Sequence, residues 1–143
     1  MKGSFSFDNG SLEIDAKLYD VFQGKFLTGK RYVGKRQDLR KMIHRFCNEI
    51  LLSFTGEKGV FDTKIAFVSD ESGYKEIYVI DFDGHNMIEI TNHKSIDLSP
   101  TWAPNGKMIA FTSYKEGNPD LYVKDIIANK EDRISHYKGL NIA

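Results

Sequence analysis

The sequence predicts an α+β segment of antiparallel strands and one amphipathic helix, followed by all-β propeller blades that do not close a ring. Three observations predict this fold class. Period-two alternation fills the first third of the chain, a single helical stripe follows it, and a repeat of strand signals fills the remainder. The change from the first pattern to the repeat places the domain boundary between residues 59 and 60, giving segments 1–59 and 60–143.

The first strands are predicted around an Asn-Gly pair. Alternating residues over 5–18 flank this pair, which is a hairpin signal because Gly accepts the positive φ of a tight turn. A second pair of short strands is expected at 20–22 and 26–33, with Gly24 and Gly29 as breakers.

A helix is predicted after these strands. From residue 39 the apolar side chains recur at helical spacing over about four turns, and the stripe ends near Gly56. Cys47 lies within the stripe, which favours a packed rather than a reactive thiol. The stripe consists of Leu39, Met42, Ile43, Phe46, Cys47, Ile50, Leu51 and Phe54.

The second half contains two copies of one unit, offset by 44 residues without a gap. The segment starting at Lys64 matches the segment starting at Met108, and a period of this length with four strand signals is typical of a propeller blade. Trp102 and Phe111 are then packing residues between blades. The complete unit has strands expected at 99–103, 107–114, 120–125 and 132–135, whereas the first unit lacks an obvious inner strand. We expect the chain to be a piece of a longer protein.

Composition and motifs do not favour catalysis or a metal. The 20 basic and 20 acidic residues give zero net charge, and no apolar run reaches the length that spans a bilayer. A Gly-x4-Gly-Lys match from Gly24 lacks the Ser or Thr that a phosphate loop needs, and no Gly-x-Ser-x-Gly elbow is present. The histidines have no partner at metal-ligand spacing, so no metal and no cofactor is expected. They are His44, His85, His93 and His136.

Several stretches of the chain together match one known family: residues 18–21, 31–34, 44–46, 55–67 and 95–100, together with Trp102. On these stretches the chain resembles the TolB family of periplasmic propeller proteins over essentially all its 143 residues. The resemblance is specific because it joins the α+β segment to the blades in one order. Asn105 departs from the family pattern, which usually has Asp in this turn.

This resemblance implies a six-bladed propeller, a periplasmic location and no enzymatic activity. It implies protein–protein binding in the Tol–Pal system of cell-envelope integrity, cell division and protein transport. The implied partners are the peptidoglycan-associated lipoprotein Pal and TolA or other inner-membrane Tol components, without direct membrane insertion. The family's propeller-face loop corresponds here to residues 92–97, and the candidate partner-binding residues are His93, Lys94, Ser95 and Asp97. Capping of a turn between blades is the alternative role for Ser95 and Asp97.

Two other functions stay open. The basic segment 30–45 is typical of a nucleic-acid-binding surface, although no aromatic stacking platform accompanies it and nucleic acid is not the expected partner. The same repeat also occurs in the propellers of prolyl-oligopeptidase-type peptidases. Blade edges without closing neighbours predict self-association of the isolated chain. The residues expected at those open surfaces are Ile65, Phe67, Ile109 and Phe111.

Overall fold

A computed structural model describes residues 1–142; Ala143, the end of the second predicted segment, lies outside the described residues. The chain folds as two compact units, Met1–Thr63 and Lys64 onward, each with its own apolar core. The assignment of segments 1–59 and 60–143 to two domains stays a prediction.

The first unit is a three-stranded antiparallel sheet with a helix packed on one face. The predicted hairpin is confirmed, and its turn residues Asn9 and Gly10 have positive φ angles of 46° and 82°. A short 3-10 turn, Arg36–Asp38, leads into the helix. The elements are β1 (Lys2–Asp8), β2 (Ser11–Asp20), β3 (Lys25–Lys35) and α1 (Leu39–Thr55), and the sheet order is β1-β2-β3.

The strand predicted at 26–33 is confirmed as part of β3, with Gly24 in the turn before it, whereas the separate strand predicted at 20–22 is wrong. Strand β2 continues to Asp20, whose Oδ1 accepts the backbone N–H groups of Phe22 and Gln23 and closes a turn there. Gly29 does not interrupt β3, because it pairs with Lys17 inside one continuous ladder. The two strands therefore form one long hairpin, with a bulge that absorbs the mismatch near the turn.

The predicted helix is confirmed, and Gly56 ends it. Gly56 has a φ of 74°, and its N–H donates to the Leu52 carbonyl, as in a left-handed helix cap. Only part of the predicted stripe is buried, since Phe54 is 65% exposed. The core between helix and sheet consists of Leu12, Ile14, Ala16, Met42 and Phe46.

The second unit contains two sheets with the predicted 44-residue offset. The bounds of β4 and β8 differ by 44 residues, and so do those of β5 and β9. The first sheet has order β4-β5-β6 and the second has order β10-β9-β8-β7, so within residues 1–142 the first blade has no inner strand and the propeller is incomplete. The strands are β4 (Lys64–Ser69), β5 (Glu76–Asp81), β6 (Ile88–Glu89), β7 (Asp97–Trp102), β8 (Met108–Ser113), β9 (Asp120–Asp125) and β10 (Lys130–Ser135).

The two blades share one apolar core. Ile77 and Val79 of the first blade join Ile109, Phe111 and Tyr122 of the second. The expectation that Ile109 and Phe111 lack neighbours is therefore wrong, because both are 0% exposed. Ile65 fits the expectation, since it lies on the edge strand β4 and is 47% exposed. Trp102 packs against this core as predicted.

Among the described residues, no helix is both long enough and apolar enough to cross a bilayer.

Candidate functional site

The predicted recognition loop, residues 92–97, connects the outer strand of the first blade to the inner strand of the second. Its four candidate residues differ in exposure. Lys94 is exposed and Ser95 is half-buried, whereas the His93 side chain is 16% exposed and Asp97 is 0% exposed. The loop thus presents some of the candidates to solvent and holds the others inside the blade pair.

The His93 ring lies between two carboxylates. Its Nδ1 is 2.7 Å from Oδ2 of Asp97, and its Nε2 is 3.2 Å from Oε1 of Glu131 on β10. Hydrogen bonds to Asp97 and then Glu131 raise the pKa of His93 to about 9, against the opposing effect of burial. The imidazole is therefore a cation near neutral pH, with both nitrogens donating.

Both carboxylates stay ionised. Burial raises the pKa of Glu131, but hydrogen bonds from His93 and Lys115 outweigh it and lower the value to about 2. Burial also opposes ionisation of Asp97, yet hydrogen bonding to His93, with the Ser113 and Thr91 hydroxyls nearby, lowers its pKa. Within residues 1–142, Oδ1 of Asp97 has no hydrogen-bond partner of good geometry, so His93 is the principal counter-charge of Asp97.

A second buried carboxylate anchors the loop to the first blade. Glu76, at the start of β5, is 1% exposed. Its Oε1 accepts the backbone N–H of Lys94 at 2.7 Å, and its Oε2 accepts the Thr91 hydroxyl at 2.7 Å. The Thr91 hydroxyl in turn accepts the N–H of Ile77 at 2.8 Å. Backbone pairing continues this attachment, because the N–H of Asp97 donates to the Lys75 carbonyl at 2.7 Å.

The charged groups rest on a stack of rings. His93 stacks on Phe111 with centroids 6.1 Å apart, and Phe111 stacks on Tyr122 at 5.9 Å. Lys115, which pairs with Glu131, lies 4.0 Å from the centroid of the Tyr122 ring. The loop is therefore tied to β5 by Glu76 and to β10 and the aromatic core by His93.

Glu76, His93 and Asp97 offer three possible metal-ligand atoms within 4.8 Å of one another. A metal needs a neutral imidazole with a free lone pair. Here both nitrogens of His93 face carboxylates, and both oxygens of Glu76 already accept hydrogen bonds. The imidazolium compensates the charge of Asp97 and the ligand atoms are already engaged, so the geometry of the cluster fits a structural tie better than a metal centre.

Glu76 and Glu131 were not predicted as residues of this site. The available signal was the same 44-residue offset applied to polar positions. It pairs Glu76 with Asp120 and Asp97 with Asn141, and all four are buried. We call Glu76, Thr91 and Asp97 the first corner, and Asp120, Ser135 and Asn141 the second corner.

The basic segment 30–45 does not present one face. Adjacent strand residues point to opposite sides of a sheet. Accordingly, Lys30 pairs with Glu49 of α1 at 2.6 Å, whereas Arg31 pairs with Glu13 on β2. This division weakens the nucleic-acid interpretation, because a phosphate-binding surface needs its cations on one side.

The sequence profile of the TolB β-propeller domain matches residues 52–143. The chain is 44% identical over 141 residues to the Tol-Pal system protein TolB of Desulfosudis oleivorans, covering 99% of this chain and 32% of that protein. It is 39% identical over 140 residues to the TolB homolog of Chlorobium chlorochromatii, covering 98% of this chain and 32% of that protein.

A solved structure agrees with these matches. The crystal structure of TolB from Acinetobacter baumannii superposes with a TM-score of 0.85 at 25% identity, over 97% of this chain and 36% of that one. The chain thus spans about a third of the length of the relatives it matches. The chain belongs to the TolB β-propeller family, as these matches, the two units and the incomplete propeller together indicate.

Proposed function

We propose that this chain is a non-enzymatic, protein-binding part of the Tol–Pal system in the periplasm. Its partners are the lipoprotein Pal and an inner-membrane Tol component such as TolA. The names of its relatives support the assignment to the Tol–Pal system. The loop at residues 92–97 supports binding as the activity.

The observation that carries the proposal is the rigid attachment of an exposed loop. Lys94 is exposed and Ile96 is 44% exposed, while Glu76 and Asp97 on either side are buried. A loop fixed in this way loses little conformational entropy on binding, and it presents one cation beside one apolar side chain. We assign direct contact to Lys94 and Ser95, and a positioning role to His93 and Asp97.

The same geometry favours a non-enzymatic role. General base catalysis needs a group that is unprotonated near neutral pH and within reach of a substrate. The pKa of His93 is raised to about 9, chiefly by its hydrogen bond to Asp97, so the ring has no lone pair to offer. It serves to hold the loop.

Titration of the chain with purified Pal by isothermal calorimetry tests the proposal. We expect Lys94→Ala to weaken binding by roughly fivefold to tenfold, the usual effect of removing an interface cation. Lys130→Ala removes the same charge from the exposed outer strand β10 and serves as the control. Equal losses in both variants, or no binding of the parent chain, would contradict the proposal. The same titration with TolA tests the second partner.

We also propose that the isolated chain self-associates through open strand edges. Strand β1 is exposed along its whole length and pairs on one side only, and β4 is the edge of its sheet. Light scattering after gel filtration should give a mass above 16.4 kDa that falls on dilution. Ile65→Lys, which places a charge on an exposed edge residue, should lower that mass. A single monomeric mass at every concentration would refute self-association.

A further inference from the structure

A polar groove lies on the first unit between β3, the C-terminal half of α1 and the segment that follows the helix. Its volume is about 520 Å³, and its walls include Lys30 and Tyr32 from the strand and Arg45, Asn48 and Leu52 from the helix. Lys58 and Asp62 close it from the following segment. The groove is remote in sequence from the recognition loop and takes no part in the function proposed above.

The acidic groups of this groove already have partners. Glu49 pairs with Lys30 at 2.6 Å. Asp62 accepts the side-chain amide of Asn48 at 2.9 Å, and that amide's oxygen accepts the N–H of Phe61 at 3.1 Å. The groove's carboxylates are thus engaged within the chain.

Three donors in the groove have no acceptor. Within residues 1–142, neither Arg45 nor Lys58 has an ion-pair or hydrogen-bond partner. The hydroxyl of Tyr32 is buried and also lacks a partner among those residues. Burial raises the pKa of Tyr32, and the nearby positive charges of Lys30 and Arg45 do not cancel this effect, so the hydroxyl keeps its proton. A buried hydroxyl without an acceptor costs free energy that a bound acceptor would recover.

We propose that this groove binds the carboxylate side chain of an extended acidic peptide from a partner protein. Arg45 supplies a guanidinium that matches a carboxylate in two hydrogen bonds, and the Tyr32 hydroxyl donates a third. Lys58 adds a second cation at the rim. Leu52, which is 47% exposed, gives the residue next to the carboxylate an apolar wall.

A peptide suits the groove better than a nucleic acid does. Glu49 and Asp62 line the same groove and repel a continuous polyanion, whereas a single carboxylate can avoid them. Tyr32 is the one aromatic residue in the groove lining, and single-stranded nucleic acids use several stacking rings.

Fluorescence anisotropy with a labelled peptide that carries a single Glu flanked by Leu residues tests the proposal on the full chain. We expect saturable binding below about 1 mM and no binding of the matching peptide with Gln in place of Glu. Arg45→Gln should weaken binding roughly tenfold, since it removes a bidentate charged contact. Tyr32→Phe should weaken it about threefold without loss of folding stability, because its hydroxyl has no hydrogen-bond partner among the described residues.

Lys41→Gln is the matched control, because it removes one charge from the exposed surface of the same helix outside the groove. It should leave binding unchanged. An equal loss in Lys41→Gln and Arg45→Gln would overturn the proposal in favour of general charge attraction. Tighter binding of single-stranded oligodeoxythymidine than of the peptide would favour the nucleic-acid interpretation instead. Absence of peptide binding up to about 1 mM would also overturn the proposal.

Discussion

The first and second corners occupy equivalent places in consecutive blades but satisfy their buried polar atoms differently. In the first, Glu76 and Asp97 are carboxylates, and the His93 cation lies against Asp97. In the second, Asn141 takes the place of Asp97. Its amide Nδ2 donates to the carbonyls of Tyr137 at 2.8 Å and Pro119 at 3.1 Å. An uncharged amide therefore satisfies these acceptors.

The comparison shows which features of a corner the repeat determines and which depend on nearby residues that differ between the two copies. The repeat places a buried polar side chain at the first residue of β5 and of β9, at Glu76 and at Asp120, and a second one 21 residues later, at Asp97 and at Asn141. The nearby residues determine whether the second of these buried side chains is a carboxylate or an amide. Asp97 has a histidine four residues before it, whereas Asn141 has Tyr137 there. Asp120 keeps a carboxylate in the second corner, paired with Arg133 at 3.2 Å, so the two corners differ in charge at Asp97 and Asn141. The charged Asp97 should therefore be more sensitive to truncation and to pH than the neutral Asn141.

Truncation of the two equivalent residues should give the largest difference. Asp97→Ala leaves the buried His93 cation with Glu131 alone, so we expect a loss of about 3 kcal/mol in the free energy of unfolding. Asn141→Ala removes an uncharged side chain whose shorter hydrogen bonds go to backbone carbonyls, and it should cost about 1.5 kcal/mol. Urea unfolding followed by circular dichroism measures both variants. Equal losses would show that the charge of the first corner contributes nothing specific.

The pH dependence of stability should come from the first corner. Because the pKa of His93 is raised from 6.5 to about 9 in the folded state, its stabilisation is fully present below pH 6.5 and is lost as the pH rises through 9. We expect a loss of about 2 kcal/mol over that interval. The pKa of Glu131 is lowered from 4.5 to about 2, so its contribution is present above pH 4.5 and is lost as the pH falls through 2.

The variant His93→Gln checks the alkaline half of this prediction. The difference in unfolding free energy between parent and variant should be constant below pH 6.5 and shrink as the pH approaches 9. Asn141→Ala is the control, since it removes no titrating group and its difference from the parent should not change over the same range. A pH-independent difference for His93→Gln would refute the charged state of the ring.

The sequence was sufficient for the features that depend on local pattern. Periodicity and turn chemistry were enough to predict the hairpin at Asn9-Gly10 and the helix that ends at Gly56. They were also enough to predict the offset of strands β8 and β9 from β4 and β5. The error at Gly29 arose because a glycine that breaks an isolated strand is tolerated where a neighbouring strand pairs with it.

The candidate site was predicted only in part. The segment 92–97 does connect the two blades, and its role in partner binding stays a prediction. The sequence left turn capping open for Ser95 and Asp97, but it did not show that the side chains of His93 and Asp97 lie inside the blade pair. Their burial depends on Glu76 and Glu131, which approach the loop from strands distant in the chain. Contacts between side chains that are distant in the chain produce no local periodicity in the sequence. Only a comparison of equivalent polar positions in the two copies of the repeat indicates them.

The smallest expected effect comes from giving the second corner the charge of the first. Asn141→Asp replaces the amide donor by a carboxylate at a site where Nδ2 lies 3.5 Å from Oδ1 of Asp120 and faces three backbone carbonyls. No histidine is in the position that His93 takes in the first corner, so the new charge is repelled and its pKa should rise. The variant should therefore be less stable near neutral pH and should regain about 1 kcal/mol near pH 4, where the carboxyl is protonated. Urea unfolding at the two pH values measures this recovery, with Asn141→Ala as the variant that should show none. If the cost of Asn141→Asp is the same at both pH values, the amide's shape rather than its neutrality holds the second corner.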